Sequence, residues 1–78
     1  MSESKIQKKL IDELEAQGCY VIKLMKTNKN GIPDLLSFKD GVATFIEVKK
    51  KGNKLSRLQQ YRLAELDKHN LNNKVHYG

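Results

Sequence analysis

Seventy-eight residues make one small domain, residues 1–78, and such a chain buries only about 60% of its unfolded surface, so the core is thin and oligomerisation is expected. Fifteen Lys and Arg against nine Asp and Glu leave a net charge of +6, which favours a polyanionic partner: nucleic acid or an acidic membrane surface. A single cysteine excludes an intramolecular disulfide and a cysteine-based zinc site, and no apolar stretch reaches membrane-spanning length or forms a signal-peptide core, so a cytoplasmic location is expected.

Residues 2–17 read as an amphipathic helix. Ser2 or Ser4 can cap it, Ser4-Lys5-Ile6-Gln7 fits a capping box, and Gly18 suits the position that ends it. On a wheel of about 100° per residue with Ile6 at zero, Leu10, Leu14 and Ile11 form an apolar stripe, and Glu3 falls near 60°, in its middle. Glu3 is therefore the one acid of this helix that points where the apolar residues point; an acid in the first turn also suits the helix dipole. Residues 19–25 form a first strand, with Cys19 as a small core residue. Residues 26–31 form a polar loop whose Lys26 and Lys29 either reach phosphates or are simply solvated.

The chain is organised around the hairpin that follows. Strands 35–39 and 42–49 flank Asp40-Gly41, a pair that tolerates the positive φ angles of a type I′ turn. With that turn, Lys39 faces Val42, Leu36 faces Phe45 and Asp34 faces Glu47, directly opposed residues having Cβ atoms about 4.5–5.5 Å apart. Alternation puts Lys49 on the face of Glu47. Leu35, Ile46 and Val48 line the other face, and since both faces carry apolar residues the ribbon is expected to be covered on both sides. Residues 49–54 are a basic loop. Ser56 then caps a second helix running to about His69, with Ser56-Arg57-Leu58-Gln59 as a capping box. On its wheel Gln59 falls inside the apolar stripe near 100°, and Arg62 on its inner edge near 40°. A turn at 70–73 precedes a short final strand, 74–77, which a helical crossover makes parallel to its neighbour. The three tyrosines, Tyr20, Tyr61 and Tyr77, form no cluster in the sequence and read as core or interface residues.

Opposed carboxylates destabilise a sheet, so Asp34 and Glu47 at one end of the ribbon imply a cation between them. Hard oxygen donors without a nearby His or Cys favour Mg²⁺, with Mn²⁺ substituting. Such an ion lowers the pKa of bound water and polarises a phosphoryl oxygen. Lys49 is placed to orient or deprotonate the attacking water, or to stabilise developing charge. Lys50, Lys51, Lys54 and Arg57 form a basic rim for a nucleic-acid backbone. Together these point to phosphodiester hydrolysis.

Pro33-Asp34, a spacer of twelve residues and Glu47-Val48-Lys49 resemble the core of the PD-(D/E)xK nucleases. More narrowly, Gly31-Ile32-Pro33-Asp34, Glu47-Val48-Lys49 and Leu55-Ser56 followed by Gln59, in that order over nearly the whole chain, resemble a virus-type replication-repair nuclease (VRR-NUC) domain. The resemblance implies a small α/β fold, an α-β-β-β-α-β restriction-endonuclease-like core with a mixed sheet flanked by helices. It implies Asp34, Glu47 and the Val48 carbonyl as metal ligands, Lys49 as catalytic, Gln59 as a further site residue, and a first-helix Glu near the metal, for which Glu3 is the match. It also implies the habits of stand-alone phage and bacterial members: homodimers that cut branched DNA, above all four-way (Holliday) junctions. The competing readings are a non-catalytic nucleic-acid-binding module on the same fold, and a flap or restriction-type nuclease.

Overall fold

The computed structural model describes residues 1–78. The elements run α1 (Glu3–Ala16), β1 (Tyr20–Lys23), β2 (Leu35–Lys39), β3 (Val42–Lys49), α2 (Arg57–Lys68) and β4 (Asn72–Tyr77). This is the expected order. The strands make one mixed sheet, β1-β2-β3-β4, in which only the β3–β4 pair is parallel.

The hairpin forms in the expected register. Lys39 pairs with Val42 and Leu36 with Phe45, and the turn residues Asp40 and Gly41 have φ of 52° and 78°. Alternation then sorts the two faces. Leu35, Ser37, Ile46 and Val48 are buried, and Ile6 and Leu10 of α1 close over Leu35, Ile46 and Val48 to make the core. Leu36, Phe38, Ala43 and Phe45, on the opposite face, are only half-buried. Here α2 lies across one side, because Asn73, which shares the face of Phe45, donates to the Asp67 carboxylate at 2.6 Å. The β1 side of that face stays open, with Tyr20 71% and Ile22 40% exposed. The expectation of full cover on both sides is therefore met on one side only: one 12-residue helix cannot span four strands.

Local signals settle the helix ends with one correction. Ser2 is the N-cap of α1, accepting from the Lys5 N–H at 3.2 Å. Ser4 lies inside the helix, so the Ser4–Gln7 capping box does not form. In α2 the Ser56–Gln59 box forms in full, and His69 is the C-cap. Of the two roles expected for the tyrosines, the core one fails: Tyr20, Tyr61 and Tyr77 are all exposed.

Candidate active site

The site is assembled at the end of the sheet where β2 begins and β3 and β4 finish. Asp34 stands one residue before β2 and is gripped from both sides. The Leu24 N–H donates to its backbone carbonyl at 2.8 Å, and its Oδ2 accepts from the Val48 N–H at 2.9 Å. The hairpin thus continues past its last ladder pair, Leu35 with Ile46, through a side chain. Val48 points its side chain into the core, 1% exposed, so only its backbone serves the site.

Two further contacts fix the loop that carries Asp34. Gly31 has φ +78° and lies against Leu58 of α2, where a Cβ would come within 2.5 Å of the Leu58 Cγ. Arg62 donates from Nε to the Asn30 carbonyl at 2.8 Å and pairs with Glu65 at 2.8 Å. That pairing holds the Glu65 carboxyl below the usual carboxylate range. Arg62 was legible as an inward position on the helix wheel; its target was not, because the loop and the helix meet only in three dimensions.

Glu47 is 3% exposed. Its pKa is pushed up to about 8, first by burial, then by a hydrogen bond with the Asp34 carboxyl and by the charge of Asp34, with Lys49 pulling the other way. A buried carboxyl beside a second carboxyl, with one ammonium for compensation, is an unfavourable arrangement for a bare pair of anions. It is a favourable one for a divalent cation, and hard oxygens suit Mg²⁺ or Mn²⁺. The residues present fit such an ion. Lys49 stands two residues on from Glu47, on the same face and half-buried.

Glu3 comes to the same end of the molecule, where one of its oxygens is engaged by the loop after β3. Its Oε2 accepts from the Lys50 N–H at 2.9 Å and from Asn53 Nδ2 at 3.1 Å. The Lys50 N–H, then Asn53, hold its pKa down, helped by the charges of Lys49 and Lys50. No three Asp, Glu, His or Cys side chains converge closely enough to share an ion. Through Oε2 Glu3 fastens the β3–α2 loop, and its charge reaches Glu47. The reason is local: backbone and amide donors in that loop satisfy that oxygen first. Asn53, its partner, carried no signal in the sequence. Gln59 is half-buried, and its side-chain oxygen accepts from the Ser56 N–H at 2.9 Å, completing the capping box.

The topology gathers the basic residues. Lys26 and Lys29 lie in the loop before Asp34, where the charge of Lys29 reaches Glu65 of α2, and Lys50, Lys51, Lys54 and Arg57 follow β3 on the far side of Lys49. All are exposed, and the two ion pairs of the chain, Lys8–Asp12 and Arg62–Glu65, involve none of them. The largest surface hollow, about 610 Å³, lies elsewhere, on α2 between Tyr61 and His69. An open, cation-bordered site suits an extended polyanion better than an enclosed small molecule.

Comparison with known proteins agrees with the fold. The family model described as the VRR-NUC domain matches residues 2–78. A solved structure titled "VRR_NUC domain" superposes with a TM-score of 0.86 at 33% identity, covering 97% of this chain and 83% of that one. No curated protein matches. No helix is long and apolar enough to cross a membrane.

Proposed function

Since the chain belongs to the VRR-NUC domain family, a nuclease-type fold that acts on DNA, we propose that it is a metal-dependent, structure-specific endodeoxyribonuclease cutting branched DNA, most of all four-way junctions. The observation that carries the catalytic reading is the pairing of Asp34 with a Glu47 that is 3% exposed, with Lys49 on the same face. A module that only bound DNA has no use for two opposed acids at the cost of burying one.

Asp34, Glu47 and the Val48 carbonyl would hold a Mg²⁺ or Mn²⁺ ion, which when bound polarises the scissile phosphate and acidifies water. The Val48 N–H fixes one oxygen of the Asp34 carboxylate and leaves the other free to act. Lys49 orients the attacking water through its ammonium and offsets the negative charge that develops on phosphorus-bound oxygens. Gln59 holds the start of α2 against the site, and Glu3 holds the loop that presents Lys50 and Lys51. Lys26, Lys29, Lys50, Lys51, Lys54 and Arg57 bind phosphates on either side. A homodimer in the cytoplasm places two such sites about a two-fold axis, which suits paired cuts in a symmetric junction. The thin core and the open β1 side of the sheet support self-association.

The test is cleavage of four-way, flap, single-stranded and linear duplex DNA side by side, with Mg²⁺, Mn²⁺ or EDTA, by the parent protein and Lys49→Ala. Preferential junction cutting that needs metal and is lost in Lys49→Ala is expected. Unchanged cutting by Lys49→Ala would defeat the mechanism, and a 9.0 kDa species by light scattering under reaction conditions would remove the dimer.

A further inference from the structure

We propose that Tyr77 is a substrate-binding residue that stacks on an unstacked nucleobase beside the scissile phosphate, and so selects branched over continuous duplex DNA. The inference rests on the nuclease reading above and names what its site recognises.

Tyr77 ends β4, where its backbone is the register partner of Lys49, as Val75 is of Glu47. Partners on parallel strands project to the same face, and neighbouring strands lie about 4.8 Å apart. Tyr77 is therefore the contribution of β4 to the face that bears Glu47 and Lys49, on the flank away from Asp34. It is 48% exposed. The aromatic contacts of the chain are Tyr20 with Phe38 and Arg62 with Tyr61, so the Tyr77 ring has no aromatic or guanidinium neighbour.

The backbone beneath this ring is held on both sides. Beyond Tyr77, the Gly78 N–H donates to the Lys49 carbonyl at 3.0 Å, and the Lys51 N–H donates to the Gly78 carbonyl at 3.0 Å. Gly78 also rests so closely on Ile6 that a Cβ would overlap it. With its backbone fixed in this way, the ring has only its own two side-chain torsions to order on binding. The ladder that fixes it includes Lys51, whose unpaired ammonium, with that of Lys50, borders the same edge. An aromatic platform beside cations is the chemistry that binds unstacked nucleotides. The other tyrosines lack this setting: Tyr20 packs its ring 6.3 Å from Phe38 on β1, and Tyr61 lies on α2 beside Arg62.

A stacking platform favours DNA whose bases are already unpaired. In continuous duplex the base next to the cut must first leave its stack, whereas at a branch point much of that cost is already met. The placement of Tyr77 one strand from Lys49 thus couples recognition of the branch to the cutting site.

The experiment measures binding to a four-way junction and to linear duplex in Ca²⁺, with 2-aminopurine at each branch-point nucleotide in turn, for the parent protein, Tyr77→Ala and Tyr77→Trp. The parent and Tyr77→Trp are expected to quench one probe. Tyr77→Ala should lose that quenching and bind the junction roughly 5- to 100-fold more weakly, with linear duplex affinity nearly unchanged. An abasic site at the quenched position should weaken the parent by the same factor, a test that needs no mutant to fold, and should leave Tyr77→Ala unaffected. Parent-like quenching and affinity in Tyr77→Ala, or equal losses on both DNAs, would overturn the proposal. Those results beside an inactive Lys49→Ala would leave the nuclease reading standing, whereas a parent that binds neither DNA would remove both.

Discussion

The two faces of the β2–β3 hairpin are built from alternate residues of the same strands, yet they are different environments. Toward α1, Leu35, Ile46 and Val48 are at most 1% exposed and lie in an apolar cluster. Toward the site, Asp34, Leu36, Phe45 and Lys49 are half-buried, and Glu47 alone is buried, as a carboxyl. Stability is concentrated on one face and chemistry on the other, one residue apart. A one-residue slip would exchange them, so the Asp40-Gly41 turn that fixes register is a condition of the site as well as of the fold.

That separation can be broken from each side. The largest effect should come from Asp34→Asn, which keeps an oxygen to accept from the Val48 N–H but removes the negative charge. Junction cleavage should fall by roughly 10²- to 10³-fold or more, while the thermal midpoint moves by only a few degrees. A variant that unfolds instead would show that the site face carries stability too. On the other face, Leu35→Ala opens a cavity under α1 and should cost about 2–5 kcal/mol, a large share of the stability of so small a domain. Denaturant titration should show the midpoint falling, with cleavage per folded molecule preserved at low temperature. Lost cleavage in fully folded Leu35→Ala would mean that the faces communicate.

The effect confined to a pH window concerns Glu47. Folded Glu47 titrates near pH 8, above the ordinary Glu value, so between those values the folded state binds more protons than the unfolded one. The contribution is complete below the unfolded pKa and is lost as pH rises through the folded pKa. Metal-free protein should therefore lose stability from about pH 4.5 to about pH 8. Glu47→Gln, which cannot ionise, should flatten that part of the profile, and Mg²⁺ should restore stability above pH 8 in the parent only. A parent profile as flat as that of Glu47→Gln, measured by thermal unfolding in EDTA, would show that the carboxyl ionises freely.

Much of this molecule was legible because its signals are local. The Asp-Gly turn sets the pairing of Leu36 with Phe45 and brings Asp34 toward Glu47; the Ser56–Gln59 box starts α2; and a helical crossover makes β4 parallel to β3. Glu3 and Gln59, read as inward positions on their helices, are both half-buried, since periodicity reports direction. Periodicity does not report what a side chain meets there. Glu3 meets the Lys50 N–H and Asn53, and Gln59 meets its own helix cap, because the nearest donors are satisfied before a distant centre.

Element order, the hairpin register and the acid pair with its lysine are written along the chain, because each follows from backbone preferences and alternation over a few residues. Folding in three dimensions fixes which face is sealed, how deeply Glu47 is buried, that Arg62 and Leu58 clamp the loop before Asp34, and that Tyr77 pairs in register with Lys49. Those outcomes depend on contacts between segments far apart in the chain. They are set when helices and strands close on one another and compete for the same limited apolar surface.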